Sequence, residues 1–237
     1  MKIQAVILAG GKGTRLAPYT ATIPKPLVPI NEYPILEIIL RQLKYYGVKN
    51  ITLTLGHMAN LIESYFGNGK RFGIKIKTSK ETKPLGTAGP LSLLKNLADI
   101  IVVLNGDLFT TMNFKKMIQF HQKHKAAATI GLYREAVKQK SGVITTDKQY
   151  RIIRYDEKPT TFVNISMGIY IFSKEAIRMI PKNKYFDLPE LINALILANK
   201  PIFGYQNTAE WLDIGRPEDY AKAIELFNKY PSRYLKR

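Results

Sequence analysis

The chain has no cysteine in its 237 residues. That absence excludes a disulfide framework, thiolate metal sites and a cysteine nucleophile. Acid is scarce too: 18 Asp and Glu stand against 36 Lys and Arg, a formal charge of +18. Such a balance favours anionic partners: nucleotides, sugar phosphates, nucleic acid or acidic membrane surface. The cations are spread along the chain instead of forming a block, which weakens the case for a nucleic-acid face and leaves a lysine-rich solvated surface as the plain alternative. Only three histidines occur, His57, His121 and His124. The last two fall at i, i+3 on a lysine-rich segment and read as a solvated helix face, so no histidine catalytic set is expected. No apolar run reaches the roughly 18 residues of a spanning helix. The opening MKIQAVILAGG is too short in its apolar part for a signal peptide and reads as a strand entering a loop. The expectation is a cytoplasmic protein with neither membrane nor nucleic-acid partner.

What is present is alternation. Apolar runs at 2–9, 50–56, 73–79 and 99–107 read as strands. Helical spacing marks 34–47, 59–67, 90–97 and 113–124, and 126–133 reads as a further strand. This β-α-β-α-β-α-β order implies a mainly parallel sheet with helices on both faces. The second half looks more antiparallel, with shorter strands at 142–147, 150–159 and 166–173. A helix follows at 187–200, opened by Asp187 as N-cap with Pro189 soon after, then a strand at 201–207 and a helix at 216–230. The final PSRYLKR reads as a frayed basic tail. No Ser/Gly-rich linker divides the chain, so one domain over 1–237 is expected, with a core sheet and a smaller lobe.

The loop after the first strand, Gly10-Gly11-Lys12-Gly13-Thr14-Arg15, lies where ligands bind in a doubly wound sheet, beyond a strand's carboxyl end. Its glycines let backbone N–H groups approach and converge on an anion. It is not a Walker loop, because Gly13 follows Lys12 where Ser or Thr is required. It is not a dinucleotide fingerprint, because Leu16 occupies the third glycine's place. What remains is Lys12 and Arg15 close together, then Lys25 held between Pro24 and Pro26, which restrict its backbone.

The whole run LAGGKGTRLAPYTATIPKPL at 8–27 resembles the signature of the sugar-1-phosphate nucleotidyltransferases. Further resemblances follow in order: PLGTAGP at 84–90, NGD at 105–107, EKP at 157–159 and WLDIG at 211–215. The segment KPLGTAGPLSLL is most similar to mannose-1-phosphate guanylyltransferases. The resemblance implies an α/β, Rossmann-like, doubly wound mixed sheet of the nucleotide-diphospho-sugar transferase type. It also implies a catalytic domain without the C-terminal β-helix or regulatory module of many relatives.

The implied reaction takes an NTP and a sugar 1-phosphate to an NDP-sugar and pyrophosphate, with Mg²⁺. By resemblance Arg15 holds the triphosphate, Lys25 bridges the reacting phosphates, and Asp107 and Asp213 share the metal. The nucleotide side is Leu8, Ala9, Gly10, Gly11, Lys12, Gly13 and Thr14 with Glu81, Pro84, Gly86 and Thr87. The sugar-phosphate side is Gly142, Glu157, Lys158, Ser166 and Gly168. An ionised Glu81 accepts only, so it suits the two adjacent donors of guanine; GTP with mannose 1-phosphate is the expected pair. Ser166 stands where many relatives have asparagine, which leaves heptose, glucose and amino sugars open, as UTP, CTP and dTTP are for the nucleotide. Two other classes stay in view: a noncatalytic nucleotide-sugar-binding regulator, and a nucleic-acid binder suggested by charge alone. Family members are often dimers or tetramers, so a homo-oligomer is open.

Overall fold

The structure, a computed structural model, describes residues 1–236. The opening apolar run becomes an inner strand, β1 (Ile3–Ala9). Its alternation explains why nearly every position is apolar. Ala5, Ile7 and Ala9 enter one core and Val6 enters another on the opposite face, as a strand covered on both sides requires. β1 pairs in parallel with β4 (Asn50–Leu55) and β6 (Ile100–Asn105), and β4 with β5 (Lys75–Lys80). On the other side of β6, the antiparallel β11 (Thr160–Ser173) is followed by β8 (Ala128–Lys138) and β12 (Ile202–Gln206). The seven-stranded order is β12-β8-β11-β6-β1-β4-β5.

Helices cover both faces. The larger core takes residues from α1 (Ile35–Tyr45), α2 (Ala59–Phe66), α3 (Phe114–Lys123) and α6 (Pro217–Lys229). The smaller one takes α4 (Lys174–Ile177) and α5 (Leu188–Leu197). No helix among the described residues is long and apolar enough to cross a membrane. The mixed, mainly parallel sheet with helices on both faces is the expected fold class.

Several expectations need correction. The segment 90–97 is no α-helix; only Gly89–Leu93 coils, as a tight 3₁₀ turn. Pro90 and a left-handed Asn96 leave too few residues to nucleate a longer helix. β8 and β11 run well past the expected 126–133 and 166–173 and pair as an exposed ribbon from Thr160–Lys138 to Ser166–Leu132. Beside that ribbon in sequence lies the hairpin β9 (Val143–Thr146) and β10 (Ile152–Asp156). The short pairs β2 (Pro29–Ile30) with β3 (Tyr33–Pro34), and β7 (Leu108–Thr110) with β13 (Trp211–Asp213), lie outside the main sheet.

Arg237 of the expected PSRYLKR segment lies outside the described residues; within them the tail is not frayed. It forms α7 (Pro231–Tyr234), and Tyr234 is fully buried, stacked on Phe109 at 3.9 Å between ring centroids. Nor is His121 solvated. It is buried, bonded through Nδ1 to Thr129 Oγ1 at 2.9 Å, and burial lowers its pKa to about 4.

Candidate active site

The carboxyl ends of β1, β4, β5 and β6 open onto a cavity of about 700 Å³, within the ordinary size of a small-ligand site. Of the expected nucleotide residues, Leu8, Ala9, Gly10, Gly11, Lys12, Glu81, Pro84, Gly86 and Thr87 line it, as do Lys25 and Asp107. Gly13 and Thr14 do not. Gly13 is left-handed (φ 66°), and a Cβ there would stand 3.0 Å from Lys25 Cβ. Its carbonyl accepts from the Thr20 hydroxyl at 2.9 Å. Gly13 therefore shapes the bend that lets Lys25 pack beneath the loop.

Lys25 is buried, and its ammonium bonds to Asp107 Oδ2. Asp107 follows β6 at the turn into β7. The antiparallel register of β7 and β13 then sets Asp213 opposite Leu108, while Ile214 N–H donates to the Asp107 carbonyl at 3.1 Å. Two carboxylates far apart in the chain thus enter one site through a three-residue ladder. Arg15 joins them alongside Gly215, and its charge acts on Asp213.

The electrostatics of this group are unbalanced. Burial, then the negative charge of Asp107, raises the Asp213 pKa above the ordinary carboxylate value; Lys25 and Arg15 pull it back only in part. Asp107 Oδ1 and Asp213 Oδ1 are the two buried side-chain polar atoms without a hydrogen-bond partner among the described residues. Unpartnered buried carboxylate oxygens are costly, and two of them on carboxylates close enough for their charges to act on each other fit a divalent cation. No cluster of three or more ligating side chains occurs among the described residues. Mg²⁺ takes one or two carboxylates and fills its other positions with water and phosphate oxygens.

Glu81 follows β5. Its Oε2 accepts the Leu85 N–H at 3.1 Å, which curls the 81–87 loop over the cavity. Its Oε1 faces Gly10 and Gly56, where a Cβ would come within 3.3 and 3.2 Å. Farther along, Thr87 N–H and hydroxyl donate to Asp187 Oδ1 at 2.8 and 3.0 Å, and Thr87 Oγ1 accepts from Leu188 N–H at 2.8 Å. Asp187 does sit at the N-cap position of α5, where its N–H donates to Glu190 at 2.6 Å. Burial pushes the Asp187 carboxyl up, but the bonds from Thr87 and Tyr185 outweigh it and hold the pKa below the ordinary value. The loop over the cavity is thereby stapled to the start of a helix.

The expected sugar-side residues do not line this cavity. Gly168, left-handed at φ 68°, sits where the β11–β8 register shifts, and a Cβ there would be 2.7 Å from Asn105 Nδ2. Ser166 accepts from Gly168 N–H at 3.3 Å and bonds to the Tyr170 hydroxyl at 3.0 Å. Gly142, Glu157 and Lys158 lie with the β9–β10 hairpin. A Cβ on Gly142 would overlap the Tyr155 hydroxyl, which donates to Glu157 Oε2 at 2.7 Å. Tyr155 thus ties Gly142 to Glu157, a link the sequence did not signal. Lys158 is exposed, 3.7 Å from Glu157 Oε1. The sequence reading also missed Thr54, Gly56, His57 and Tyr185 in the cavity wall. The first three were discoverable, since β4 is a parallel strand ending beside the glycine loop.

Comparison with known proteins shows the family of the chain. A model of the family described as "Nucleotidyl transferase" matches residues 4–229. The chain is 36% identical to the UTP–glucose-1-phosphate uridylyltransferase of a Synechocystis species, over 94% of this chain and 62% of that one. It is 31% identical to the mannose-1-phosphate guanylyltransferase of Mycobacterium tuberculosis, over 93% of this chain and 63% of that one. The chain thus spans somewhat under two thirds of these relatives' length. The crystal structure of HddC from Yersinia pseudotuberculosis complexed with GMP-PN is similar at a TM-score of 0.73 and 29% identity, covering 94% of this chain and 99% of that one.

Proposed function

The chain belongs to the nucleotidyl transferase family, and from that premise we propose that it transfers a nucleoside monophosphate from an NTP to a sugar 1-phosphate, releasing pyrophosphate. The observation that carries the reading is the pairing of Lys25 with Asp107 in a cavity lined by the glycine loop, with Asp213, which does not itself line the cavity, brought into charge contact with both by the β7–β13 ladder. In this reaction an oxygen of the sugar phosphate forms a bond to the α-phosphorus, and the bond from that phosphorus to the bridging oxygen of pyrophosphate breaks in line. A phosphate monoester has its second pKa near ~6, so the nucleophile is already ionised at pH 7 and no general base is needed.

The barrier is repulsion between polyanions, and catalysis is positioning and charge stabilisation. Lys25, buried and pinned by Asp107, supplies a fixed cation at the reacting phosphates. Arg15, set against Gly215, holds the triphosphate. The Gly10–Lys12 backbone cradles phosphate and ribose, and the 81–87 loop covers the base. Asp107 and Asp213 would hold Mg²⁺ through their unpartnered oxygens; when bound it neutralises charge on the triphosphate and the leaving group. The acceptor side rests on Gly142, Glu157, Lys158, Ser166 and Gly168, with Tyr155 orienting Glu157.

For the nucleotide we favour GTP. Glu81 presents an acceptor-only group to the cavity, as guanine's two donors require, and the HddC structure contains a guanine nucleotide analogue. Mannose 1-phosphate is the first acceptor to try, since one of the similar proteins carries that name. The test is pyrophosphate release over a matrix of NTPs and sugar 1-phosphates with Mg²⁺, with Asp107→Asn as control. Release by one pair, abolished in the control, supports the reading. UTP or dTTP outrunning GTP overturns the guanine assignment, and Glu81→Gln should then leave the order of bases unchanged.

A further inference from the structure

We propose that the opposite end of the sheet carries a second anion site, for a compact ligand bearing two or more linked phosphates. The amino ends of β1, β4 and β5 open onto a cavity of about 480 Å³, separate in its lining from the one at their carboxyl ends. Five lysines line it: Lys2, Lys75, Lys77, Lys95 and Lys174. They come from four places in the chain. Lys2 precedes β1, Lys75 and Lys77 share one face of β5 at i, i+2, Lys95 precedes β6, and Lys174 opens α4. The last arrives there because β11 is antiparallel and delivers its carboxyl end among the amino ends of its neighbours.

No carboxylate lines this cavity, and none of the five lysines has an ion pair among the described residues. Farther along the same strand, Lys80 is paired with Glu63 at 2.7 Å, so the lack of counter-charge is local. Two acids lie close by in sequence and neither lines the cavity: Asp99, which accepts the Lys2 backbone N–H at 2.8 Å, and Glu175, which follows Lys174 in α4. The floor is neutral and tied down: the Gln4 amide accepts from Ala98 N–H at 3.2 Å and donates to Thr52 Oγ1 at 3.4 Å. An adjoining hollow of about 340 Å³ shares Lys174 and adds Arg178 and Lys182.

Like charges gathered without a counter-charge repel one another, and a bound anion relieves them. Lysine ammonium groups are compact point charges suited to phosphate oxygens. Neither cavity has an aromatic side chain on which a base could stack, the feature that single-stranded nucleic-acid grooves depend on. A short chain of phosphates meets these terms. The inference does not rest on the catalytic reading.

The probe is tripolyphosphate, titrated calorimetrically into the full chain without metal at low salt. Three proteins are compared: wild type, Lys25→Ala, and the double variant Lys77→Ala with Lys95→Ala, each checked for native circular dichroism. The expected result is a site that the double variant weakens at least about tenfold and Lys25→Ala leaves in place; a further site lost in Lys25→Ala is the catalytic cavity's and bears on that reading alone. A single site that Lys25→Ala abolishes overturns the proposal. So does a wild-type isotherm that the double variant reproduces. Displacement of the probe by a single-stranded RNA oligomer that binds more tightly, with the same lysine dependence, overturns it in favour of nucleic acid.

Discussion

Asp213→Asn should raise the stability of the metal-free protein while destroying its response to Mg²⁺. Asp213 carries a buried oxygen without a partner, as does Asp107, and its pKa is raised by burial and by the charge of that second carboxylate. An unsatisfied buried group costs about 1–3 kcal/mol; removing the charge while keeping the shape should return about 1–2 kcal/mol of it. Unfolding entropy near 2.1 cal/mol/K per residue comes to about 0.5 kcal/mol/K for 237 residues. The gain is then about 2–4 °C in Tm. Mg²⁺ at about 100 times its Kd stabilises the wild type by roughly 2.7 kcal/mol, or about 5 °C, and leaves the variant unmoved. The two melting curves should therefore exchange order on adding Mg²⁺.

The pH dependence follows the same logic. The folded protein binds the Asp213 proton more readily than the unfolded chain does. The metal-free wild type therefore loses stability from this group as pH rises past 3.8, the group's ordinary value, and the variant does not. Differential scanning fluorimetry with and without EDTA measures all of this. A metal-free variant that melts below wild type, or that gains as much from Mg²⁺, would refute the reasoning.

Lys25→Met removes the one buried cation at the proposed reacting phosphates. It should cost about 3–4 kcal/mol of transition-state stabilisation, read as a 10²–10³-fold fall in kcat/KM for pyrophosphate release. His121 is held neutral by burial, with a pKa of about 4 against 6.5 when free. The unfolded chain binds the extra proton between those values, so stability should fall by up to about 3 kcal/mol as pH drops from 6.5 to 4. Urea titrations of wild type and His121→Gln check it, the variant's profile being flatter over that window. Tyr234→Ala empties a fully buried aromatic position and should cost about 3–5 kcal/mol and several degrees of Tm; an unchanged Tm would return the tail to a frayed segment.

Much of the fold could be read in one dimension because its signals are local. The unbroken apolar runs at 2–9 and 99–107 mark strands covered on both faces, and Asp187 with Pro189 marks a helix start. The glycine loop was equally plain: its glycines follow directly on an apolar strand, and Pro24 and Pro26 bracket Lys25 whatever else the chain does. Short elements were harder. The 90–97 segment has helical spacing, but Asn96 turns left-handed and the helix never nucleates. The ribbon strands β8 and β11 overran their expected ends because charged residues such as Arg134 and Glu135 hide a strand whose faces are both solvated.

By itself, then, the sequence determined the α/β architecture, the place of the glycine loop and the identity of its cations, all consequences of neighbouring residues acting over a turn or a strand. Only the tertiary structure decided what those cations face. Asp107 and Asp213 meet through the β7–β13 ladder, Arg15 reaches them beside Gly215, and Lys25 is ion-paired to Asp107. It also decided that His121 and Tyr234 are interior and that five lysines with no acid among them share one cavity. Burial and charge balance are sums over residues brought together from distant parts of the chain, and no local pattern encodes such a sum.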